Sequence, residues 1–318
     1  MDQTHKELFS SLFKIDKAGF HRCLEPTMQC QNAAIRAHSI QNSRVLDLLV
    51  DNGHVVGFKR RVDIKSGPTI EFGLIGRNEA ATFAGLCADH DRAIFAPIDT
   101  QEIDRNNPQL LFLLAYRSVL RELHATMEGA VKVQSGYLKR VELGICPGDQ
   151  PSEVGLFAVE RMMVSYETFM YKAKYDKVLL TGSFDSIQHD AVLLEDQLPT
   201  IAASALFSID KLRVDDDIVR VALNILPVHK NATVVLFSYL SKDAPLARSE
   251  LDRILNTAGH YQKYELSRTL LSYCENFVIA PAYFSTWTTR KKKVVREYYA
   301  RTILSNDLSY EDEDLFLF

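Results

Sequence analysis

The stretch LCADHD, residues 86–91, sets Cys87 and His90 with two residues between them at the start of a helical segment running through Ala93.

 That is a spacing at which one turn of chain presents two ligands to a zinc ion. A second pair lies upstream, Cys23 and Cys30. Six residues separate them, in place of the usual roughly two to four, so this knuckle has to loop outward. Between the pairs, HVVGFKRRVDI (54–64) and PTIEFGLI (68–75) alternate like the strands of a hairpin joined near Lys65–Pro68. The order knuckle, strands, knuckle, helix is a treble-clef layout. It predicts a structural zinc held by Cys23, Cys30, Cys87 and His90. The competing reading is that these are buried, unligated side chains, since free cysteines are common in cores.

The rest of the composition narrows the class. The chain has 318 residues, 47% hydrophobic and 25% charged, with a net charge of -4. These are values of an ordinary globular protein with room for two domains, and no overall basic field points to nucleic acid. Five cysteines, an odd number, argue against a disulfide framework. The N-terminus lacks the pattern of a signal peptide, and the most apolar run, LLFLLAY (110–116), is too short to span a bilayer. A cytoplasmic location with no membrane partner is expected.

The sequence from Cys30 to Asp91 also resembles the HNH family of His-Me finger nucleases. The matching elements are Cys30, Ala37-His38-Ser39-Ile40, Asn78 and Leu86-Cys87-Ala88-Asp89-His90-Asp91. The resemblance covers about residues 20–96. It implies that His38 is the base that activates water, that Asn78 orients it, and that Asp91 holds a catalytic Mg2+ or Mn2+ on the scissile phosphate. That division of labour suits phosphodiester hydrolysis, which needs a base near neutral pKa and a cation for developing charge. The family's proline after the histidine is replaced here by Gln41-Asn42-Ser43, and its last motif carries two ligands where this chain has His90 followed by Asp91. The AHSIQ…GHV…CxxHD pattern is similar to that of bacterial proteins associated with phage defence. The implied function is a metal-dependent endonuclease, with DNA the expected partner. The alternative is a finger without catalysis, a zinc-stabilised binding or sensor module that assembles with a protein or nucleic acid. His38 serves the first reading as a base and the second as a core or ligand histidine.

Beyond the module, helical periodicity predicts α segments at 4–17, from Asn107-Pro108 to about 127, and at 152–174, with a shorter one at Ser43–Asn52. From 177 onward, KVLLTGSF, AVLLE, TIAASALFSI, VRVALNILPV and ATVVLFSYL predict a roughly five-stranded sheet. Helices near 244–257 and 262–275, a short strand NFVIAP and a basic helix near 289–304 complete an α+β protein. The expected division is 1–102 zinc module, 103–175 helical connector and 176–318 C-terminal α/β domain.

Arg290, Lys291, Lys292, Lys293 and Arg296, with Trp287, Tyr298 and Tyr299 nearby, form the best nucleic-acid footprint. The competing reading is a solvated helix whose aromatics pack inward. The acidic tail EDEDLFLF (311–318) has three readings: a docking tip for a protein partner, a segment seated on its own chain or on a second copy in a homo-oligomer, or a cover for the basic helix. His189-Asp190 is a further pair able to contribute to a metal site, and Cys274-Glu275-Asn276 reads as a helix end.

Overall fold

The computed structural model describes residues 3–63, 67–195, 198–214, 217–305 and 309–318. The expected hairpin joint at Lys65 therefore lies outside the described residues. The chain forms two compact units, each assembled from separate stretches: Met1–Ala37, Phe83–Ile94 and Val119–Ser183 in the first, His38–Thr82, Phe95–Ser118 and Phe184–Phe318 in the second.

Helices α1 (Gln3–Lys17), the start of α2 (Ala88–Thr100), most of α3 (Pro108–Glu142) and all of α4 (Glu153–Thr181) make up the helical part of the first unit. Helix α3 starts at the Asn107-Pro108 signal, and the Asn107 side chain accepts the N–H groups of Gln109 and Leu110 (3.1 and 3.2 Å). Ser152 caps α4 in the same way, accepting from Gly155 (3.2 Å). The segment KVLLTGSF, expected as a strand, instead completes α4. Nothing in it breaks a helix before Gly182, which takes φ +69° and closes the end on the Val178 carbonyl.

The second unit is built on a seven-stranded antiparallel sheet, larger than the five strands expected. Its order is β3-β2-β9-β6-β7-β8-β5, with β2 at His54–Asp63, β3 at Gly67–Gly76, β5 at Ile187–Glu195, β6 at Ile201–Val214, β7 at Asp217–His229, β8 at Ala232–Leu240 and β9 at Phe277–Ile279. Four of the five expected segments are strands. The hairpin β2–β3 and the short β9 supply the rest, with Val56 opposite Ile279 and Ile201 opposite the same Ile279. Two-residue strands β1 (Ala37–His38) and β4 (Thr82–Phe83) stand apart from this sheet. The expected helix at Ser43–Asn52 shrinks to a single 3-10 turn at Leu46–Leu48.

Strands β7 and β8 are buried on both faces, which is why they read as continuous apolar runs. On one side lie α5 (Ala244–Leu255), α6 (Gly259–Tyr273), α7 (Pro281–Ser285) and α8 (Thr289–Ser305), whose Leu251, Leu266, Leu270, Val295 and Tyr298 join the sheet core. Ser118 bonds both Ser204 (2.9 Å) and Asn224 (3.1 Å) in the interior, so these three buried polar groups satisfy one another.

Candidate metal centre

The four residues expected to hold zinc converge in the first unit. The potential ligand atoms of Cys23, Cys30, Cys87 and His90 all lie within 4.8 Å of one another. The Cys30 and Cys87 sulfurs are 3.8 Å apart, far beyond a disulfide bond, and all four residues' thiols or ring stand unbridged. His90 Nδ1 is 3.5 Å from Cys23 Sγ and 3.3 Å from Cys87 Sγ. A tetrahedral zinc with its ordinary bond lengths sets sulfurs about 3.8 Å apart and sulfur from nitrogen about 3.5 Å. The donor set therefore fits zinc, and four protein ligands describe a closed, structural type of site.

Local structure explains how the long Cys23–Cys30 spacing is accommodated. The Glu25 carboxylate, itself buried, accepts the backbone N–H groups of Thr27 (2.7 Å), Gln29 (2.6 Å) and Cys30 (3.1 Å) and the Thr27 hydroxyl (2.8 Å). Burial alone raises its pKa, but these four donors overcome that and hold it at about 2. Met28 takes φ +58° to turn the loop back. The loop is then clipped to the second knuckle by Leu24 N–H to the Gly85 carbonyl and Ile35 N–H to the Leu86 carbonyl, both 2.8 Å. Sequence reasoning singled out the cysteines and missed Glu25. The signal available was an acidic residue two positions after the first cysteine, inside a knuckle too long to close on its own.

Cys87 immediately precedes α2, and its carbonyl accepts the Asp91 N–H (2.9 Å). Its own N–H donates to Cys23 Sγ (3.3 Å). Burial raises the Cys87 pKa, but hydrogen bonds from the His90 backbone, Cys30 and the His90 ring bring it down to about 7. Cys23, buried with fewer compensating donors, is pushed up to about 11. Lys172 of α4 is fully buried and pairs with both Asp176 oxygens (2.7 and 2.8 Å). Burial lowers its pKa, while Asp176, Glu25 and Cys23 favour its charged form.

The residues implied by the HNH resemblance fall as follows. His38, half-buried, approaches the Arg77 carbonyl with Nε2 (3.2 Å). A carbonyl only accepts, so the His38 ring donates through Nε2 in this contact. Asn78 is exposed and its side-chain oxygen accepts from Asn42 (3.2 Å) rather than from His38. His38 and Asn78 belong to the second unit, and Asp91, in the first turn of α2, to the first. His54, the first residue of β2, is exposed and its Nδ1 bonds the Asn52 carbonyl (2.8 Å). Among the described residues, Cys23, Cys30, Cys87 and His90 form the one group of three or more such side chains close enough to hold a metal. His189 and Asp190 are structural: Nδ1 of His189 meets Ser238 Oγ (2.8 Å), and Asp190 accepts from Tyr239 and twice from Arg248 (3.0 and 2.8 Å). Asn276 likewise bonds Ser39 Oγ (2.8 Å) and the Ser204 carbonyl (2.7 Å).

The basic helix is largely spoken for within its own unit. Arg290 pairs with Asp312 (2.9 Å) and Asp314 of the tail. Lys291 lies over the Trp287 ring (4.7 Å) and Lys292 over Phe284 (4.6 Å). Lys293 faces Glu297 at 3.9 Å, and Arg296 is half-buried. Trp287, Tyr298 and Tyr299 are in the core rather than available for stacking on bases. The tail is ordered: Leu315 and Leu317 are fully buried, and Leu317 N–H donates to Ser267 (2.9 Å). It is seated on its own chain and covers part of the basic helix, two of the three readings of its sequence.

No family model matches the chain, and no curated protein or solved structure matches it. No helix among the described residues is long and apolar enough to cross a membrane.

Proposed function

We propose that this chain is a zinc-stabilised assembly module, in which the ion fixes a looped knuckle against a helix start so that the surrounding unit can present a partner-binding surface. The observation carrying this reading is the closed ligand set: three thiols and an imidazole within 4.8 Å use every position a tetrahedral zinc offers. Such a metal supplies folding free energy and leaves no open position for a substrate. Of the expected treble-clef order, the two knuckles and the helix start belong to the first unit, while the hairpin β2–β3 belongs to the sheet of the second.

The nuclease reading keeps one specific observation in its favour. The His38 ring is oriented through Nε2 by the Arg77 carbonyl (3.2 Å), and a general base has to be held in one orientation. It further demands a divalent cation at Asp91. The two readings separate in one assay: plasmid and single-stranded nucleic acid with Mg2+ or Mn2+, using wild type and His38→Ala. The assembly reading expects no cleavage by either protein above background, with one zinc bound per chain. Cleavage by wild type that is lost in His38→Ala would replace it with the nuclease reading.

A further inference from the structure

The first half of helix α4 is inverted relative to an ordinary surface helix. Its buried side there is Ala158, Ser165 and Thr168, small or polar residues, and large apolar side chains (Tyr171, Tyr175, Val178) join the buried side only beyond them, next to Lys172 and Asp176. Its solvent side carries Leu156, Val159, Met163, Tyr166 and Met170, at 63, 54, 59, 64 and 46% exposure. At 3.6 residues per turn the two stripes lie on opposite sides of the helix. The steps between the exposed residues are 3, 4, 3 and 4. That is the a/d repeat of a coiled coil, a narrow seam shaped to interdigitate with another helix rather than to sink into a broad core. Met162 flanks it, also exposed, and α3 shows Val131 and Leu138 one heptad apart and open to solvent.

We propose that a second copy of this chain covers this seam, the two α4 helices packing on each other about a two-fold axis. The size fits. With Met162 the seam exposes roughly 700 Å2, above the largest patch of a typical monomer and close to the ~800 Å2 per partner of a standard interface. The chemistry fits too. A seam of Leu, Val and Met at a and d positions is complementary to itself, as an isologous contact requires. Its charged neighbours on the helix are of both signs, Glu160 paired with Arg161 (2.9 Å) and Glu167, Lys174 and Lys177, where an amphipathic helix lying on an anionic membrane would carry a clear excess of lysine and arginine. The inference stands on α4 alone and does not depend on how the zinc centre is read.

The test is the mass of the full-length, zinc-loaded protein by light scattering and sedimentation across a micromolar concentration series. Wild type is expected at twice the 36.1 kDa chain mass. Met163→Glu with Tyr166→Glu is expected at one chain mass, with unchanged zinc content and circular dichroism, while Asn231→Glu in the exposed β7–β8 turn leaves the dimer intact. The milder Leu156→Gln with Met163→Gln should weaken dimerisation at least 10-fold, and serves if the glutamate pair misfolds. A monomeric wild type overturns the proposal, as does a dimer that survives both seam variants at wild-type affinity. Vesicles of phosphatidylcholine with phosphatidylglycerol, if they bind monomeric wild type through the same residues, assign the face to lipid and overturn it as well.

Discussion

The Glu25 carboxylate accepts the backbone N–H of Cys30 at 3.1 Å, and so one acidic side chain shapes the loop that carries a candidate metal ligand. The same carboxylate gathers Thr27 and Gln29, which makes it the organising centre of the whole knuckle. Removing it leaves three N–H donors and a hydroxyl without their acceptor. Glu25→Ala is expected to cost about 2–3 kcal/mol of stability and to weaken zinc binding about 10- to 100-fold. Glu25→Gln, which keeps an acceptor oxygen, should fall between. Competition against a zinc chelator and a denaturant melt on the same preparations check both.

Metal removal should act on the first unit. With three thiols and an imidazole crowded together, the apo form loses the cross-link between residues 23–30 and 87–90. Chelation or Cys87→Ser is expected to lower the melting temperature and to raise proteolysis at the 24–29 loop, both reversed by added zinc only in wild type. Equal stability with and without metal would exclude a structural ion.

His189 gives the second unit a defined acid sensitivity. Burial lowers its pKa from 6.5 to about 4, against the opposing pull of Asp190. The unfolded chain therefore binds a proton that the folded one refuses between those values, and stability falls as pH drops through that window. The contribution lost is on the order of 3 kcal/mol at most. His189→Gln should flatten the dependence of unfolding free energy between pH 6.5 and 4, measured by denaturant titration at several pH values.

The seated tail makes two substitutions diverge. Leu317 is fully buried, and Leu317→Ala should cost about 2–4 kcal/mol. Arg290 is 59% exposed in its side chain although it meets both Asp312 and Asp314, so Arg290→Ala should cost less than about 1 kcal/mol. Thermal melts of the two variants distinguish a packed tail from one held by charge alone.

Lys172 and Asp176 test whether a buried ion pair stabilises or merely specifies. Lys172→Met strands a buried carboxylate and should cost about 3–5 kcal/mol, while Lys172→Met with Asp176→Leu should recover much of that. A double-mutant cycle by chemical denaturation provides the measurement.

Features whose cause lies within a turn or two of chain can be read from residue order alone. The Asn107-Pro108 helix start, the strand character of 200–209, 219–228 and 232–240, and the pairing of Cys87 with His90 were all legible, because capping, β-branching and ligand spacing act over a few residues. Tertiary structure decided what depends on distant partners. It extended α4 through 177–181, where an apolar run satisfies helix and strand alike until Gly182 ends it. It set Val56 of the β2–β3 hairpin against Ile279, a register that no local pattern specifies. It turned the basic helix into the seat of an acidic tail, since charge alone does not say which opposite charge will lie nearby. It also closed the Cys23–Cys30 knuckle on Glu25, because a loop's hydrogen bonds are fixed only once burial removes water as the competing partner.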